Sequence, residues 1–207
     1  RRDFIGGTAL AGLGAMLSPA LTHAADANGM QLVEVRRLGF ANADKAAAFD
    51  AFAKTAGSPA CNRAGVKPVG VFRHDTELNK GDANTSLDRY VVLPHDNAES
   101  MVTFNARLGA DEQFRADGKG FLNAPKNDPA YTRISVSVFL SQPCVPKVEV
   151  PTTKPGRLIQ YRIYESHSMP KARAKLHMFN EGGEMEIFRT VGMPPVFFGE
   201  AIAGEGM

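Results

Sequence analysis

An internal repeat constrains the fold of this chain more than any other feature of its sequence. Residues 33–38 (VEVRRL) align with residues 159–164 (IQYRIY), and a Gly-x-x-Pro-Val pattern that begins at Gly65 recurs at Gly192. The two matches are offset by almost the same number of residues, and apolar residues at helical spacing lie between them in both copies. Such self-similarity is typical of a diverged duplication. We therefore predict two related units that each begin with a strand, a helix and a strand.

The first unit has the pattern of a complete βαββαβ sequence of elements. Its predicted strands cover residues 31–38, 66–73, 87–93 and 131–140. Its predicted helices are one that is capped by Asn42 and ends at Gly57, a short one that restarts at Ser58–Pro59, and one over residues 98–108, while a polar turn covers residues 79–86. This order is that of the ferredoxin-like fold, an α+β class.

The last predicted strand of the first unit alternates apolar and polar side chains. Its apolar set consists of Ile134, Val136, Val138 and Leu140. Alternation of this kind predicts a strand with one buried face.

A proline-rich stretch over residues 143–157 predicts a linker between the two units. The first ferredoxin-like domain then spans residues 28–142. The second spans residues 158–207 and supplies only its first βαβ half, with residues 196–198 as its second strand. We therefore expect the second domain to be truncated.

The first 27 residues differ from the rest of the chain. Two arginines precede a short Gly/Ala/Leu run that ends in small residues, which is typical of a twin-arginine signal peptide. The small-residue rule allows cleavage after Ala24 or after Ala27. The apolar run is short and rich in glycine for a membrane anchor, the alternative interpretation. We expect a periplasmic or otherwise exported protein without stable membrane insertion after processing.

Composition excludes several classes of partner and chemistry. The 24 basic and 22 acidic residues nearly balance, which argues against nucleic acid or a membrane surface as partner. Phosphate-binding loops, nucleophile elbows and zinc-protease motifs are absent. His74, His95, His167 and His177 show no metal-ligand spacing, so we predict no metal and no cofactor.

A distinctive run near the C-terminus reads Pro-Val-Phe-Phe-Gly-Glu over residues 195–200. It follows Arg162 and Tyr164 on a predicted strand and Phe179, Glu184, Phe188 and Gly192 around the helices. With these residues the C-terminal unit resembles the NIPSNAP family of dimeric α+β-barrel proteins. The first copy departs from the run, because only Pro68-Val69 is kept. The resemblance implies tandem ferredoxin-like units that pack as an α+β barrel, as an intramolecular pseudo-dimer or in a homodimer, and it identifies no catalytic residue.

Charged side chains lie at the centres of two predicted strands. Glu34 and Arg36 alternate with Val33 and Val35, and Gln160, Arg162 and Tyr164 alternate with Tyr161 and Ile163. If the apolar set packs on the helices, the polar set faces the space between two sheets. There the charges either pair across an interface or line a cavity in which two arginines hold an anion. The candidate ligand-binding residues are Arg36, Arg162, Tyr164 and Glu200, and Glu200 has the alternative role of capping a turn at Gly199.

Two cysteines are predicted at the same end of the first unit. Cys61 precedes the second strand and Cys144 follows the fourth, and in this topology both positions lie at one end of the sheet. In an oxidising compartment that placement favours a disulfide over two free thiols.

These patterns predict a non-catalytic ligand-binding or interaction module whose ligand is a small anion. The alternative, which related barrels imply, is a small-molecule oxygenase or isomerase of the dimeric α+β-barrel type. A lipid-surface scaffold would need a basic amphipathic face that the sequence does not have.

Overall fold

A computed structural model describes residues 29–78 and 86–204 of the chain. The predicted signal peptide and all but the last residue of the predicted polar turn lie outside the described residues. The described part is an α+β structure, which confirms the predicted class.

One antiparallel sheet of five strands organises the described chain. The strands are β1 (Leu32–Gly39), β2 (Gly70–Arg73), β3 (Arg89–His95), β4 (Arg133–Ser141) and β5 (Gly199–Ala203), in the spatial order β2-β3-β1-β4-β5. β1 is the central strand, with β3 on one side and β4 on the other. The four strands of the first unit thus follow the predicted βαββ…β succession, and the fifth comes from the second unit.

Seven α-helices lie in the described residues, and asparagine caps mark the starts of two of them. They are α1 (Ala43–Phe52), α2 (Ser58–Arg63), α3 (Ala98–Ala110), α4 (Glu112–Asp117), α5 (Lys119–Leu122), α6 (Met169–Asn180) and α7 (Glu184–Thr190). The side chains of Asn42 and Asn97 accept hydrogen bonds from backbone amides in the first turns of α1 and α3. The predicted break at Gly57 is wrong, because a π-helical turn over Ala53–Gly57 joins α1 directly to α2.

The two faces of the sheet are covered differently from the prediction. On one face Leu38 packs with Phe40 and with Phe49, which lies on α1. On the same face Leu93 packs with Phe104 of α3. Because side chains alternate along a strand, Glu34 and Arg36 share this helix-covered face with Leu38. The expectation that the aliphatic residues face the helices is therefore wrong, and the polar residues lie there instead.

The opposite face of the sheet carries the aliphatic set. Val33, Val35 and Val92 form a cluster there, and the surrounding side chains are Phe72, Tyr90, Phe139, Val148 and Phe197. Two of these, Val148 and Phe197, come from beyond the first unit. The C-terminal part of the chain thus covers the helix-free face.

The predicted buried face of residues 131–140 is only partly buried. Ile134 lies opposite Leu38, and Val136 lies opposite Arg36, so both share the helix-covered face. Ile134 and Val136 are nevertheless 40% and 42% exposed. The helices pack over β1 and β3 and leave this part of β4 open.

The second unit departs most from the prediction. Helices α6 and α7 form, and they are separated by Gly183 with a φ of 80°, a left-handed conformation that glycine adopts without strain. Residues 159–164, however, form no strand, and the final strand is β5 rather than residues 196–198. The counterpart of residues 159–164 in the first unit is β1, which pairs with β3 on one side and with β4 on the other. In the described chain the second unit has no two strands that flank residues 159–164 in this way. β5 pairs instead with β4 of the first unit.

The predicted linker is partly integrated into the core. Val145 is fully buried beside Phe179 and Met185. The Val148 amide donates to the side-chain oxygen of Gln31 at 2.9 Å, and the Ser141 hydroxyl donates to the Pro146 carbonyl at 2.7 Å. These contacts fix the first half of the linker against the sheet.

Candidate functional site

A network of polar side chains lies between the sheet and α3. The Arg36 Nε donates to Glu34 Oε1 at 2.6 Å, and Arg36 Nη2 donates to Asn105 Oδ1 at 3.1 Å. The guanidinium also lies over the Phe104 ring, 5.4 Å from its centroid. The hydrogen bonds and the aromatic face together offset the desolvation penalty of the Arg36 guanidinium.

His95 completes this network from the end of β3. Its Nε2 lies 3.3 Å from Glu34 Oε2, its Nδ1 lies 3.2 Å from Ser100 Oγ, and its side chain is fully buried. An ionised Glu34 can only accept, so the ring proton that satisfies it is on Nε2. Nδ1 and the Ser100 hydroxyl share the second hydrogen bond of the ring. The result is a carboxylate–imidazole–hydroxyl chain.

Local structure fixes the positions of Ser100 and His95. Ser100 lies in the first turn of α3, where its amide donates to Asn97 Oδ1 at 2.8 Å. Arg107, two turns later, donates to the Ser100 carbonyl at 2.7 Å and to the carbonyl of Ala64. These bonds connect α3 to the end of α2 and keep the Ser100 hydroxyl within hydrogen-bond distance of the His95 ring.

The network changes the proton affinity of its acid. Burial alone would raise the pKa of Glu34, but hydrogen bonds from His95 and Arg36, together with their charges, lower it below the usual carboxyl value. The surroundings of Glu34 therefore favour its ionised form. The neighbouring Cys61 thiol has its pKa raised to about 11 by burial, so it stays protonated near neutral pH.

Sequence reasoning missed the roles of His95 and Ser100. His95 lies two residues beyond Leu93, the residue paired with Glu34, so it is the diagonal neighbour of Glu34 on the same face. A correct β1–β3 register would have revealed this pair. The metal-ligand spacing used to assess the histidines could not.

The second copy repeats part of this arrangement at the surface. Arg162 Nε and Nη2 donate to Gln160 Oε1 at 2.9 and 2.6 Å, and its guanidinium lies 5.0 Å from the Phe188 ring centroid. Arg162 Nη1 also lies 3.4 Å from the Tyr164 hydroxyl. Arg36 on β1 and Arg162 in the second unit thus make equivalent contacts, but Arg162 lies outside any strand and is exposed.

The structure does not assemble the four predicted ligand-binding residues into one site. Arg36 bonds to its own strand and to α3, whereas Arg162 and Tyr164 contact residues of the second unit. Glu200 is exposed on β5, opposite Leu140. Arg36 faces α3 and not a space between two sheets, so the predicted cavity is not formed around it.

The predicted disulfide does not form. Cys61 and Cys144 are free thiols, and each belongs to a different hydrophobic cluster. Cys61 packs with Val66 and Phe104 on the helix-covered face, whereas Cys144 packs beside Val145 with the second unit. The folded linker carries Cys144 toward the second unit, which the topology argument did not anticipate.

A cavity of about 260 Å³ lies away from the polar network. Its lining comes from α1, the π-helical turn and the segment after α4, and includes Lys45, Phe52, Thr55, Asp117 and Phe121. None of the residues around Glu34 lines it. The cavity therefore gives no access to His95.

The described residues show no metal site and no membrane span. Among residues 29–78 and 86–204, no group of three metal-ligating side chains comes together, and none of the helices there is long and apolar enough to cross a bilayer. Comparisons with protein-family models, curated proteins and solved structures found no match to this chain.

Proposed function

We propose that this chain is an exported, non-catalytic binding or interaction module of the NIPSNAP-like α+β-barrel type. The observation that carries the proposal is the covering of the helix-free sheet face by the second unit. Phe197 lies 5.8 Å from Phe139, and Tyr161 lies 6.1 Å from Tyr90, as ring centroid distances. Barrels of this type pack two units through such faces, so this contact supports an intramolecular pseudo-dimer.

The tandem ferredoxin-like arrangement is part of the same proposal. The order β2-β3-β1-β4, with helices on one face, agrees with a ferredoxin-like first unit. The Arg162–Gln160 pair repeats the Arg36–Glu34 pair, which supports a common origin for the second unit.

The state of the buried charges supports a non-catalytic role. Glu34, Arg36 and His95 satisfy one another, and Arg89 makes two hydrogen bonds to Asp50 at 2.7 and 2.9 Å. A general acid or base needs a reacting atom within hydrogen-bond reach. No residue of the network lines the 260 Å³ cavity, which supports a structural role for the network.

The proposed ligand is a small anion such as a carboxylate or phosphate. Arg162 is its candidate anchor because the guanidinium is exposed and lies beside the Tyr164 hydroxyl. A planar guanidinium that is already oriented by Gln160 suits bidentate recognition of such groups.

The rival function is an enzyme of the oxygenase or isomerase type. The chain from Glu34 through His95 to Ser100 favours it, because a carboxylate orients the imidazole and the imidazole in turn hydrogen-bonds to a hydroxyl. Ser100 is only partly buried, so one end of the chain lies near the surface. An absorbance spectrum and native mass spectrometry of the purified chain separate the two functions, because a bound haem, flavin or organic acid would favour the enzyme.

Calorimetric titration with inorganic phosphate and with succinate tests the binding module. We expect binding that Arg162→Met weakens by about tenfold or more, the effect of losing a charge-assisted hydrogen bond. The control is Arg173→Met on the exposed surface of α6, which should bind like the wild type. Failure of the wild type to bind either anion at millimolar concentration would refute the anion site.

A further inference from the structure

The cavity of about 260 Å³ is a groove between α1 with its π-helical turn and the segment from Asp117 to Ala130, and we call it the α1 groove. All of its lining residues lie between positions 45 and 130, so it belongs entirely to the first unit. α1 packs on one face of the sheet, whereas Phe197 of the second unit packs on the other. The groove is therefore separate from the contact between the two units.

One face of α1 forms the long wall of the groove. Lys45, Ala48, Phe52 and Thr55 line it at intervals of three or four residues, so they form one stripe along the helix. At a rise of 1.5 Å per residue the stripe is roughly 15 Å long. The groove is thus elongated, with a cation near one end.

The π-helical turn forms the end of the groove at Thr55. The Ser58 amide donates to the carbonyl of Ala53, five residues earlier, which is the bonding of a π-helix. Such turns are rare and occur frequently at functional sites. The Thr55 hydroxyl donates to the Ala51 carbonyl at 3.0 Å, so its hydrogen is already used within the helix. This end of the groove therefore offers no hydroxyl donor to an anion.

The opposite wall combines an aromatic ring with a glycine. The Phe121 ring stacks on Phe52 with centroids 4.4 Å apart, so the ring of a ligand cannot insert between them. A Cβ at Gly120 would meet nothing within 4 Å, which identifies open space beside this residue. Together the walls suit a flexible apolar chain better than a planar ring.

Lys45 is the cation at the other end of the groove. Its Nζ lies 2.7 Å from Asp128 Oδ1 and donates to the Asp128 carbonyl at 3.4 Å, whereas an ammonium group has three hydrogens to donate. The Lys45 side chain is only 24% exposed, but that of Asp128 is 69% exposed. An ion pair with so exposed a partner contributes little, so the carboxylate of a ligand can take the place of Asp128.

Asp117, the acidic lining residue, lies toward the Thr55 end. It belongs to α4, and Phe114 of the same helix packs with Ala56 of the π-helical turn. Its carboxylate accepts from the Gln113 side-chain amide at 2.7 Å. The negative charge of Asp117 repels an anionic head group from this end and favours one at Lys45.

We propose that the α1 groove binds a medium-chain carboxylate, with its head group on Lys45 and its chain along Ala48 and Phe52 toward Thr55. An apolar cavity of about 150 Å³ accommodates benzene, so in proportion 260 Å³ accommodates about ten non-hydrogen atoms, the size of octanoate. The inference goes beyond the proposed anion site, because Arg162 takes no part in it.

Calorimetric titration of the full chain with sodium octanoate tests the proposal. We expect saturable binding with a dissociation constant of about 1 mM or below. Each CH₂ removed from the ligand, down to butyrate, should weaken binding about threefold, because less apolar surface leaves water. Octanamide has nearly the same shape without the charge and should bind about fivefold or more weakly than octanoate.

Gly120→Leu tests where the chain of the ligand lies. The new side chain enters the open space of the groove and should weaken octanoate binding by about tenfold or more. Gly109→Leu is the matched control, because a Cβ there also meets nothing within 4 Å but Gly109 does not line the groove. This control should bind octanoate like the wild type.

Lys45→Met tests where the head group lies. Methionine keeps an apolar side chain and removes the ammonium, so octanoate should bind about fivefold or more weakly while octanamide binds as before. Lys54→Met is the matched control, since Lys54 is exposed on the π-helical turn and does not line the groove. Circular dichroism checks the fold of each variant, and Lys45→Met decides the matter if Gly120→Leu does not fold.

Four results overturn the assignment. The first is a wild-type chain that shows no saturable binding of octanoate up to about 10 mM. The second is a folded Gly120→Leu that binds octanoate like the wild type. The third is a Lys45→Met that loses octanoate and octanamide equally or loses neither. The fourth is displacement of octanoate by excess inorganic phosphate, which would place the ligand at the anion site instead of the groove.

Discussion

Arg36 donates a hydrogen bond of 2.6 Å to Glu34, two residues earlier on the central strand of the sheet. The pair faces the helices, and His95 approaches the same carboxylate from β3 at 3.3 Å. Three polar side chains thus take positions that apolar residues occupy elsewhere on this face. Removing one of the three side chains leaves a buried charge or hydrogen-bonding group of the others without a partner, which destabilises the folded state.

Arg36→Met should destabilise the fold by roughly 3–5 kcal/mol, because it removes one partner of a buried ion pair. Urea unfolding monitored by circular dichroism measures the loss. Arg162→Met is the matched control, since the equivalent side chain in the second unit is exposed and should cost less than about 1 kcal/mol. Equal losses in the two variants would contradict the buried network.

The stability of the chain should fall in acid because of Glu34. Its pKa is lowered in the folded state, so the unfolded chain binds a proton first as the pH falls. The stabilisation is complete above the usual carboxyl pKa and is lost as the pH drops through that value toward the lowered one. Urea midpoints between pH 7 and pH 3 should therefore decline more steeply for the wild type than for Glu34→Gln, and parallel declines would contradict the assignment.

The two thiols should react at very different rates. Burial raises the pKa of Cys61 to about 11, whereas Cys144 is half-buried with a pKa raised in the same direction. With iodoacetamide at pH 8, mass spectrometry should show Cys144 labelled first and Cys61 labelled only after unfolding. A chain purified from an oxidising compartment that yields no free thiol after denaturation would instead restore the disulfide hypothesis.

Gly199→Val should detach β5 from the sheet. A Cβ at this position would lie 2.9 Å from Phe139 Cβ and 3.1 Å from the Leu140 carbonyl oxygen, too close for either atom to remain in place. Hydrogen exchange at the amides of β4 measures the detachment and should accelerate in the variant. Gly109→Ala is the control, because a Cβ there meets nothing within 4 Å and helix propensity improves.

Local patterns predicted most of the elements but not which face of the sheet the helices cover. Alternation along residues 33–38 shows that Val33 and Val35 share one face and that Glu34 and Arg36 share the other. It carries no information on which face the helices cover, and hydrophobicity alone favoured the wrong one. The deciding contacts, Phe197 over Phe139 and Glu34 with His95, join residues far apart in the chain.

The second unit shows the same limit of local reasoning. Residues 159–164 have the composition of a strand, but a strand forms only where partner strands supply its hydrogen bonds. β5 pairs with β4, whereas residues 159–164 pair with no strand in the described chain. Helices α6 and α7, whose hydrogen bonds are internal, were predicted correctly.

The insertion of β5 beside β4 has a consequence for biosynthesis. β4 ends at Ser141 and its partner begins only at Gly199, so the ribosome must add the whole intervening stretch before the pair can close. Until then the nascent chain presents β4 as an open edge with Val138 and Leu140 on it, a template for pairing with other chains. A chaperone that shields this edge during translation should raise the yield of native protein more than one that acts after chain release.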